Sequence, residues 1–429
     1  MNSANANNIK FRLTILSFFQ FFVWGAWLTT IGTYCTDGKG WTFPQFGAIF
    51  STLALSSILM PSLIGIIADK WMRAERLYGI LHLVYGGFML LIPSINVLQS
   101  YFPALRGVQE YELLYWVVFG GMLAYMPSIS LSNSVSYRIL KMNDFNVQKD
   151  FPPIRVWGTI GFIAAMWLTN LSGSKANAQQ FYIAGFGALA LGLYAFSLPA
   201  CAPQGKAATS KSLVSSLGLD AFKLFTNYRM ALFFSFSILL GAALQLSNMY
   251  GDAFLSSFPK GTLVEKYSTI IYSISQVSET IFILTIPFFL KRFGIKNVML
   301  FALFAWVLRY GFFSFADGTF GLPLIVLSCI VYGMAFDFFL ISGSMFVEGH
   351  TDASIRSSAQ GLFIMMTNGF GAYIGTIASS FLIGKYYILA DGSTNWHGAW
   401  MLFAGYALVV AVLFMLLFKA DQTESATNL

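Results

Sequence analysis

The chain consists largely of apolar runs about 20 residues long, which recur from one end of the sequence to the other. A run of that length, wound as an α-helix that rises about 1.5 Å per residue, crosses the hydrocarbon core of a bilayer. Hydrophobic residues make up 57% of the 429 residues and charged residues only 10%, whereas soluble domains carry about 25% charged residues. The sequence therefore predicts an all-α membrane protein that crosses the bilayer many times.

Hydropathy predicts about twelve transmembrane helices. The predicted spans lie near 11–34, 45–68, 77–97, 112–137, 152–172, 181–199, 230–252, 267–290, 297–315, 322–345, 358–384 and 398–418. Basic residues are concentrated in alternate connections, beginning with Lys10 and Arg12 before the first span. By the positive-inside rule both termini are cytoplasmic, which requires an even number of spans. This orientation accounts for the net charge of +7, so no nucleic-acid partner is expected.

A polar, basic segment near the middle of the chain, Ala202 to Ser216, reads as a linker. It predicts a six-helix half over 1–201, a cytoplasmic loop over 202–228 and a second six-helix half over 229–429. A basic turn follows the second span of each half, in GIIADKWMR from Gly65 and in PFFLKRFGIK from Pro287. This is the plan of the major facilitator superfamily, and the first turn resembles its signature loop. Such transporters bind substrate near the midplane and expose it to alternate sides of the membrane.

Four predicted spans carry short polar and aromatic stripes at helical spacing in an otherwise apolar background. They are Arg155, Thr159 and Phe162; Gln245 and Asn248; Gln276 and Glu279; and Tyr332 and Phe336, with Asp337 beside them. The two carboxyl groups weigh most, because a carboxylate at mid-membrane costs several kcal/mol unless it faces protein or water or takes up a proton. Arg155 lies close to the start of its predicted span. Either that helix begins earlier, or the arginine guards the inner mouth.

Each stripe also has a structural interpretation. The amides can serve as hydrogen bonds between helices, and Tyr332 and Phe336 can serve as packing. The carboxylates can form a buried ion pair with Arg155 or Arg309, and a structural role is expected for Arg309. Taken as a site, amides and flat rings suit a neutral, polar, partly aromatic solute. A strongly anionic substrate would be expected to meet more than one intramembrane cation.

At these stripes the chain resembles the nucleoside:proton symporter family of the major facilitator superfamily. The resemblance extends in order over nearly the whole chain. It is carried by FFVWGAWLTTIG (21–32), GIIADKW (65–71), DFPPIRVWGTIGF (150–162), GLDAFKLF (218–225), RMALFFSFSILLGAALQ (229–245), ISQVSETIFILTIPFFLKRFGIKNVM (274–299), VYGMAFDFFLISGS (331–344) and IRSSAQGLFIMMTNGFG (355–371). One departure is Leu340, where a close member of the family carries an asparagine after FDFF. Because Leu340 is one turn from Asp337, base preference or hydration is expected to differ there.

The resemblance implies proton-driven uptake of purine and pyrimidine nucleosides across the bacterial inner membrane. The implied substrate contacts are Arg155, Thr159, Phe162, Gln245, Asn248, Gln276, Glu279, Tyr332 and Phe336, with Asp337 also in the site. Protons are the coupling ion, carried by Asp337 or Glu279. No metal or other cofactor is expected, the surroundings are membrane lipid, and the protein is expected to act as a monomer.

On this hypothesis Gln245, Asn248, Gln276 and Glu279 hold the ribose, while Phe162, Tyr332 and Phe336 stack on the base. Arg155 and Thr159 bond the polar edge of the base. A rocking motion that changes the distance from Arg155 to a carboxylate would move a proton. A sugar symporter or an exporter on the same fold is the alternative. An enzyme is not favoured because HExxH, GxSxG and phosphate-loop motifs are missing from the sequence, and a channel is not favoured because the stripes are short and central.

Overall fold

The computed structural model describes residues 3–203, 219–316, 321–352 and 355–419, and these residues are almost entirely helical. They form no β-strand beyond an isolated bridge between Ile388 and Thr394. The prediction of an all-α protein is confirmed. The longer helices are α1 Ser3–Gly25, α2 Phe43–Lys70, α3 Ala74–Leu91, α4 Glu110–Met142, α5 Val147–Leu171, α6 Gln179–Ala195, α7 Tyr228–Ser256, α8 Ile274–Phe315, α9 Gly321–Gly349, α10 Arg356–Ile364, α11 Ala372–Tyr386 and α12 Trp396–Leu417.

Shorter helical segments connect or extend these helices. They are Ile31–Thr33, Ile95–Tyr101, Leu263–Lys266 and Ser268–Tyr272; the 3₁₀ segments Ile92–Ser94, Pro103–Leu105 and Leu219–Thr226; and the π-helical segments Tyr34–Gly38 and Met365–Gly371.

Contacts between Cα atoms divide the chain into two compact units, Met1–Leu217 and Gly218–Leu429, called here the N-terminal and C-terminal units. Most of the predicted connecting loop, residues 204–218, lies outside the described residues. The assignment of 1–201, 202–228 and 229–429 as half, loop and half therefore stays a prediction.

Each of the twelve predicted spans coincides with helical residues, although the correspondence with separate helices is not one to one. Among the described residues eight helices are long and apolar enough to cross a membrane, or nine if a bent pair counts as one span. That pair is α2, which bends by 41° between Ile58 and Met60 and contains Pro61, a residue that removes a helix hydrogen bond. The spans predicted over 267–290 and 297–315 both contribute to α8, which is broken at Gly294, where φ is +76°.

Two predicted helix boundaries near the candidate site are wrong. The first span was predicted to run to residue 34, but α1 ends at Gly25, and the next turn is tightened by bonds such as that from the Thr30 N–H to the Trp27 carbonyl. The fifth span was predicted to begin at 152, but α5 begins at Val147 because the Asn146 side chain accepts a hydrogen bond from the Lys149 N–H. Arg155 is therefore eight residues into its helix, about 12 Å along the axis.

In the N-terminal unit α1 packs against α5 at very short range. A Cβ atom added at Gly161 would lie 2.1 Å from the Phe18 carbonyl oxygen, so only glycine permits this approach. The α1 side of the contact is held in turn by Gln20, a buried side chain that accepts a 2.6 Å hydrogen bond from the Tyr78 hydroxyl. Its amide donates a 3.1 Å bond to the hydroxyl of Ser128 on α4. This polar core orients the face of α1 that meets the α5 stripe.

In the C-terminal unit α8 and α9 are in comparable contact. A Cβ atom at Gly333 would lie 2.5 Å from the Ser278 carbonyl oxygen, and the Ser278 hydroxyl donates to the Ile330 carbonyl. The Tyr310 hydroxyl of α8 donates to the carbonyl of Ala243 on α7. Three of the predicted stripes therefore lie on helices that are bonded to one another.

Candidate functional site

The stripe on α5 lies beside α1. The Arg155 guanidinium carbon is 4.0 Å from the centroid of the Phe21 ring, a cation–π contact, and Arg155 is half-buried. Phe162 is buried, and Trp24 meets its ring edge-on with centroids 6.1 Å apart. Thr159, which lies between Arg155 and Phe162 in the sequence, is half-buried. These contacts fix the charged and aromatic members of the stripe against one helix.

Trp24 is a neighbour of the candidate site that the sequence reasoning missed. Its ring lies 5.6 Å from that of Tyr125 as well as 6.1 Å from Phe162. Its buried indole N–H has no hydrogen-bond partner among the described residues. A tryptophan in a membrane helix has an ordinary packing interpretation. Only its place in the FFVWGAW segment, one of those that carry the resemblance described above, could have identified it.

The other predicted residues lie on three helices of the C-terminal unit: Gln245 and Asn248 on α7, Gln276 and Glu279 on α8, and Tyr332, Phe336 and Asp337 on α9. Gln245, Gln276, Tyr332 and Asp337 are buried, while Asn248, Glu279 and Phe336 are half-buried. The contact of Ser278 with Ile330 and Gly333 keeps the α8 and α9 residues on adjoining helices.

The two aromatic residues of α9 form a stack. The Tyr332 and Phe336 rings have centroids 5.5 Å apart and planes 27° apart. Trp306 meets Tyr332 edge-on, with centroids 5.9 Å apart and planes at 89°. These are favourable geometries for aromatic pairs. Tyr332 therefore packs between Phe336 and a fully buried tryptophan.

Asp337 is a carboxyl group in an apolar setting. It is 5% exposed, its Oδ2 atom has no hydrogen-bond partner among the described residues, and the Glu279 carboxylate acts on it electrostatically. The buried Oε1 of Gln276 also lacks a partner among those residues. A carboxyl group inside a membrane helix is costly to keep and is usually retained for a function, which makes Asp337 a candidate for proton transfer.

Arg309 does not form the buried ion pair with Glu279 or Asp337 that was the structural alternative. Arg309 donates its hydrogen bonds to Ser247, Tyr272, Ser275 and the Ser328 carbonyl, all of them neutral groups. Among the described residues no group of three or more His, Cys, Asp or Glu side chains could hold a metal ion.

A second buried carboxylate was missed by the sequence reasoning. Asp252, on α7, is fully buried and accepts hydrogen bonds from Ser268 (2.8 Å) and Thr269 (2.7 Å). Asp252 is the last residue of one predicted span, and Ser268 and Thr269 lie at the start of the next. An acidic residue at the end of a helix is commonly solvated, so nothing in the sequence indicated burial. Its hydroxyl partners show instead that it ties α7 to the Ser268–Tyr272 segment.

Comparison with known proteins identifies the family of this chain. A family model described as nucleoside H⁺ symporter matches residues 7–423. The chain belongs to the nucleoside H⁺ symporter family. It is a proton-coupled nucleoside transporter of the major facilitator superfamily fold and not an enzyme.

Individual members of the family are similar over nearly their full length. The chain is 47% identical to the xanthosine permease of Escherichia coli over 97% of each chain. It is 46% identical to the nucleoside permease NupG of Escherichia coli over 98% of each chain. A crystal structure of a NupG mutant superposes with a TM-score of 0.89 at 45% identity, covering 96% of this chain and all of the other.

The chain is also similar, at lower identity, to permeases for sugars. The maltose permease of Geobacillus stearothermophilus is 24% identical over 95% of this chain. Because the nucleoside permeases are about twice as similar and the family model is that of nucleoside symporters, the sugar symporter and exporter alternatives are not favoured.

Proposed function

We propose that this symporter takes up both purine and pyrimidine nucleosides, uridine and adenosine among them, across the bacterial inner membrane by alternating access. It works as a monomer with both termini in the cytoplasm, and its two six-helix halves are joined by the 202–228 loop. Protons are its coupling ion, and it uses no other cofactor. The observation that carries this proposal is the polar and aromatic set on α7, α8 and α9, which includes a buried acid with an unpaired oxygen, within a chain that matches the family over 7–423.

The ribose is the part of the substrate that the polar side chains suit. Gln245, Asn248 and Gln276 offer amide donors and acceptors, and Glu279 accepts from hydroxyl groups. A buried amide oxygen such as Gln276 Oε1 gains most from such a partner, because an unsatisfied buried acceptor costs about 1–3 kcal/mol.

The base is the part that the rings suit. Tyr332 and Phe336 already stack with each other, and Phe162 offers a third flat face. Arg155 and Thr159 bond the polar edge of the base. A guanidinium held over the Phe21 ring keeps a fixed direction while its N–H groups donate.

Proton coupling is assigned to Asp337, with Glu279 as its electrostatic partner and a ribose ligand. Because the two carboxyl groups interact, uptake and release of the proton depend on the pair rather than on either group alone. Deprotonation of Asp337 requires water or a cation to reach it, which alternating access provides.

The test is uptake of labelled uridine and adenosine into vesicles that contain the purified protein. Accumulation above the external concentration is expected only when a proton gradient, acidic outside, is imposed. Absence of uridine or adenosine accumulation under any gradient would overturn the proposal.

A further inference from the structure

Arg309 is a fully buried cation that the transport mechanism proposed above does not use. It lies on α8 with 0% exposure. Four of its five N–H groups are committed: Nε donates to the Ser247 hydroxyl (2.8 Å), Nη1 to the Ser275 hydroxyl (3.3 Å) and to the Ser328 carbonyl (2.8 Å), and Nη2 to the Tyr272 hydroxyl (3.0 Å). Within the described part of the chain its charge meets dipoles rather than a carboxylate.

The partners of Arg309 adjoin the residues proposed to bind substrate. Ser247 precedes Asn248 on α7, and Ser275 precedes Gln276 on α8. Ser328 is one turn before Tyr332 on α9, and its hydroxyl donates back to the Arg309 carbonyl (2.8 Å). One guanidinium is thus bonded next to a binding residue on each of three helices.

Arg309 also contacts a proposed binding residue directly. Its guanidinium carbon is 4.4 Å from the centroid of the Tyr332 ring, and Tyr332 stacks in turn with Phe336. A cation over an aromatic face is strongest when both are removed from water, as they are here. The contact fixes the ring that the nucleobase is proposed to stack on.

We propose that Arg309 is a positioning residue for nucleoside affinity: it holds Tyr332, Asn248 and Gln276 in their binding geometry. The inference rests on the binding roles proposed above for those three residues. A lysine cannot replace Arg309, because an ammonium has no planar fork to reach three helices while it covers a ring.

The test compares Arg309→Lys with the wild-type protein in proteoliposomes, by the KM and Vmax of uridine uptake under a fixed proton gradient. We expect KM to rise about tenfold or more, with Vmax per folded molecule changed far less. Ser314→Ala on the same helix is the matched control, because its hydroxyl donates to the carbonyl of His397 rather than to a binding residue, and its KM is expected to match wild type. If Arg309→Lys keeps the wild-type KM and loses uptake only in proportion to folded protein, Arg309 is purely structural and the inference fails.

A milder variant and a double-mutant cycle test the proposal even if Arg309→Lys does not fold. If Arg309→Lys does not fold, Ser275→Ala removes one acceptor of the guanidinium and is expected to raise KM by a smaller factor; an unchanged KM there overturns the inference. In a Tyr332→Leu background the effect of Arg309→Lys is expected to shrink, and an effect of undiminished size also overturns it. If Tyr332→Leu alone leaves KM unchanged, the proposed binding site itself is wrong, whatever Arg309 does.

Discussion

The Tyr332 and Phe336 rings stack with centroids 5.5 Å apart and planes 27° apart, one turn from each other on α9. Asp337 follows Phe336 directly in the sequence of this helix. Tyr332 is buried and Phe336 is half-buried, so Phe336 is the more accessible of the two.

Phe336→Ala is expected to raise the KM for uridine and adenosine about tenfold, equivalent to about 1.4 kcal/mol, because the base loses one stacking ring. Uptake into proteoliposomes at a fixed gradient measures this change. Leu327→Ala, an exposed apolar residue of the same helix, is the control and should transport as wild type. A wild-type KM in Phe336→Ala would assign the ring to packing.

Glu279→Gln is expected to weaken nucleoside binding about fivefold while proton-driven accumulation persists. The substitution keeps the size of the side chain and exchanges a charged acceptor for a neutral one, and hydrogen bonds to charged groups are worth about 1 kcal/mol more than neutral ones. Binding of uridine by calorimetry and uptake with an imposed gradient are the two measurements.

Two other outcomes for Glu279→Gln are informative. If binding and coupling both remain unchanged, Glu279 is structural and Asp337 performs the whole coupling role. If accumulation is lost while affinity is retained, Glu279 carries the proton, and the assignment to Asp337 is wrong.

Asp337→Asn is expected to abolish accumulation of nucleoside against its gradient and to retain exchange of labelled for unlabelled nucleoside. Asparagine is isosteric with aspartic acid and cannot release a proton, so binding and rocking survive while coupling does not. Because protons enter with the substrate, wild-type uptake should rise as the external pH falls from about 7.5 to about 5.5, and uptake by the variant should not. Retained accumulation in Asp337→Asn would exclude Asp337 as the proton carrier.

Much of the fold follows from the sequence because each membrane helix is a local pattern of about 20 apolar residues. The break between the spans near 267–290 and 297–315 was predicted from hydropathy, and it falls at Gly294, within the basic turn PFFLKRFGIK. The early start of α5 was only one of two alternatives for Arg155, because it depends on a single cap, Asn146, outside the apolar run. The end of α1 at Gly25 was missed for a related reason, since the apolar run continues through the turn.

The candidate site divides in the same way. Its stripes were predicted by helical spacing, since residues three and four apart share a face. The environment of Arg309 could not be predicted, because its partners Ser247, Tyr272 and Ser328 are 62, 37 and 19 residues away in sequence. Among the described residues the hydrogen-bond partners of this arginine are neutral groups rather than a carboxylate, and only the packing of the helices reveals them.

Asp252 shows the same dependence on long-range packing and leads to a prediction about stability. Asp252→Ala is expected to lower the free energy of unfolding by about 1–3 kcal/mol, because Ser268 and Thr269 would lose the carboxylate that accepts their hydrogen bonds. Asp252→Asn, which keeps one acceptor oxygen, should lose less. Thermal unfolding of the purified protein in detergent measures both, with the exposed Asp352→Ala as a control that should leave Tm unchanged. If Asp252→Ala instead keeps its Tm and loses proton-driven accumulation, Asp252 belongs to the proton path. Its hydrogen bonds to the Ser268–Tyr272 segment then do not stabilise the fold.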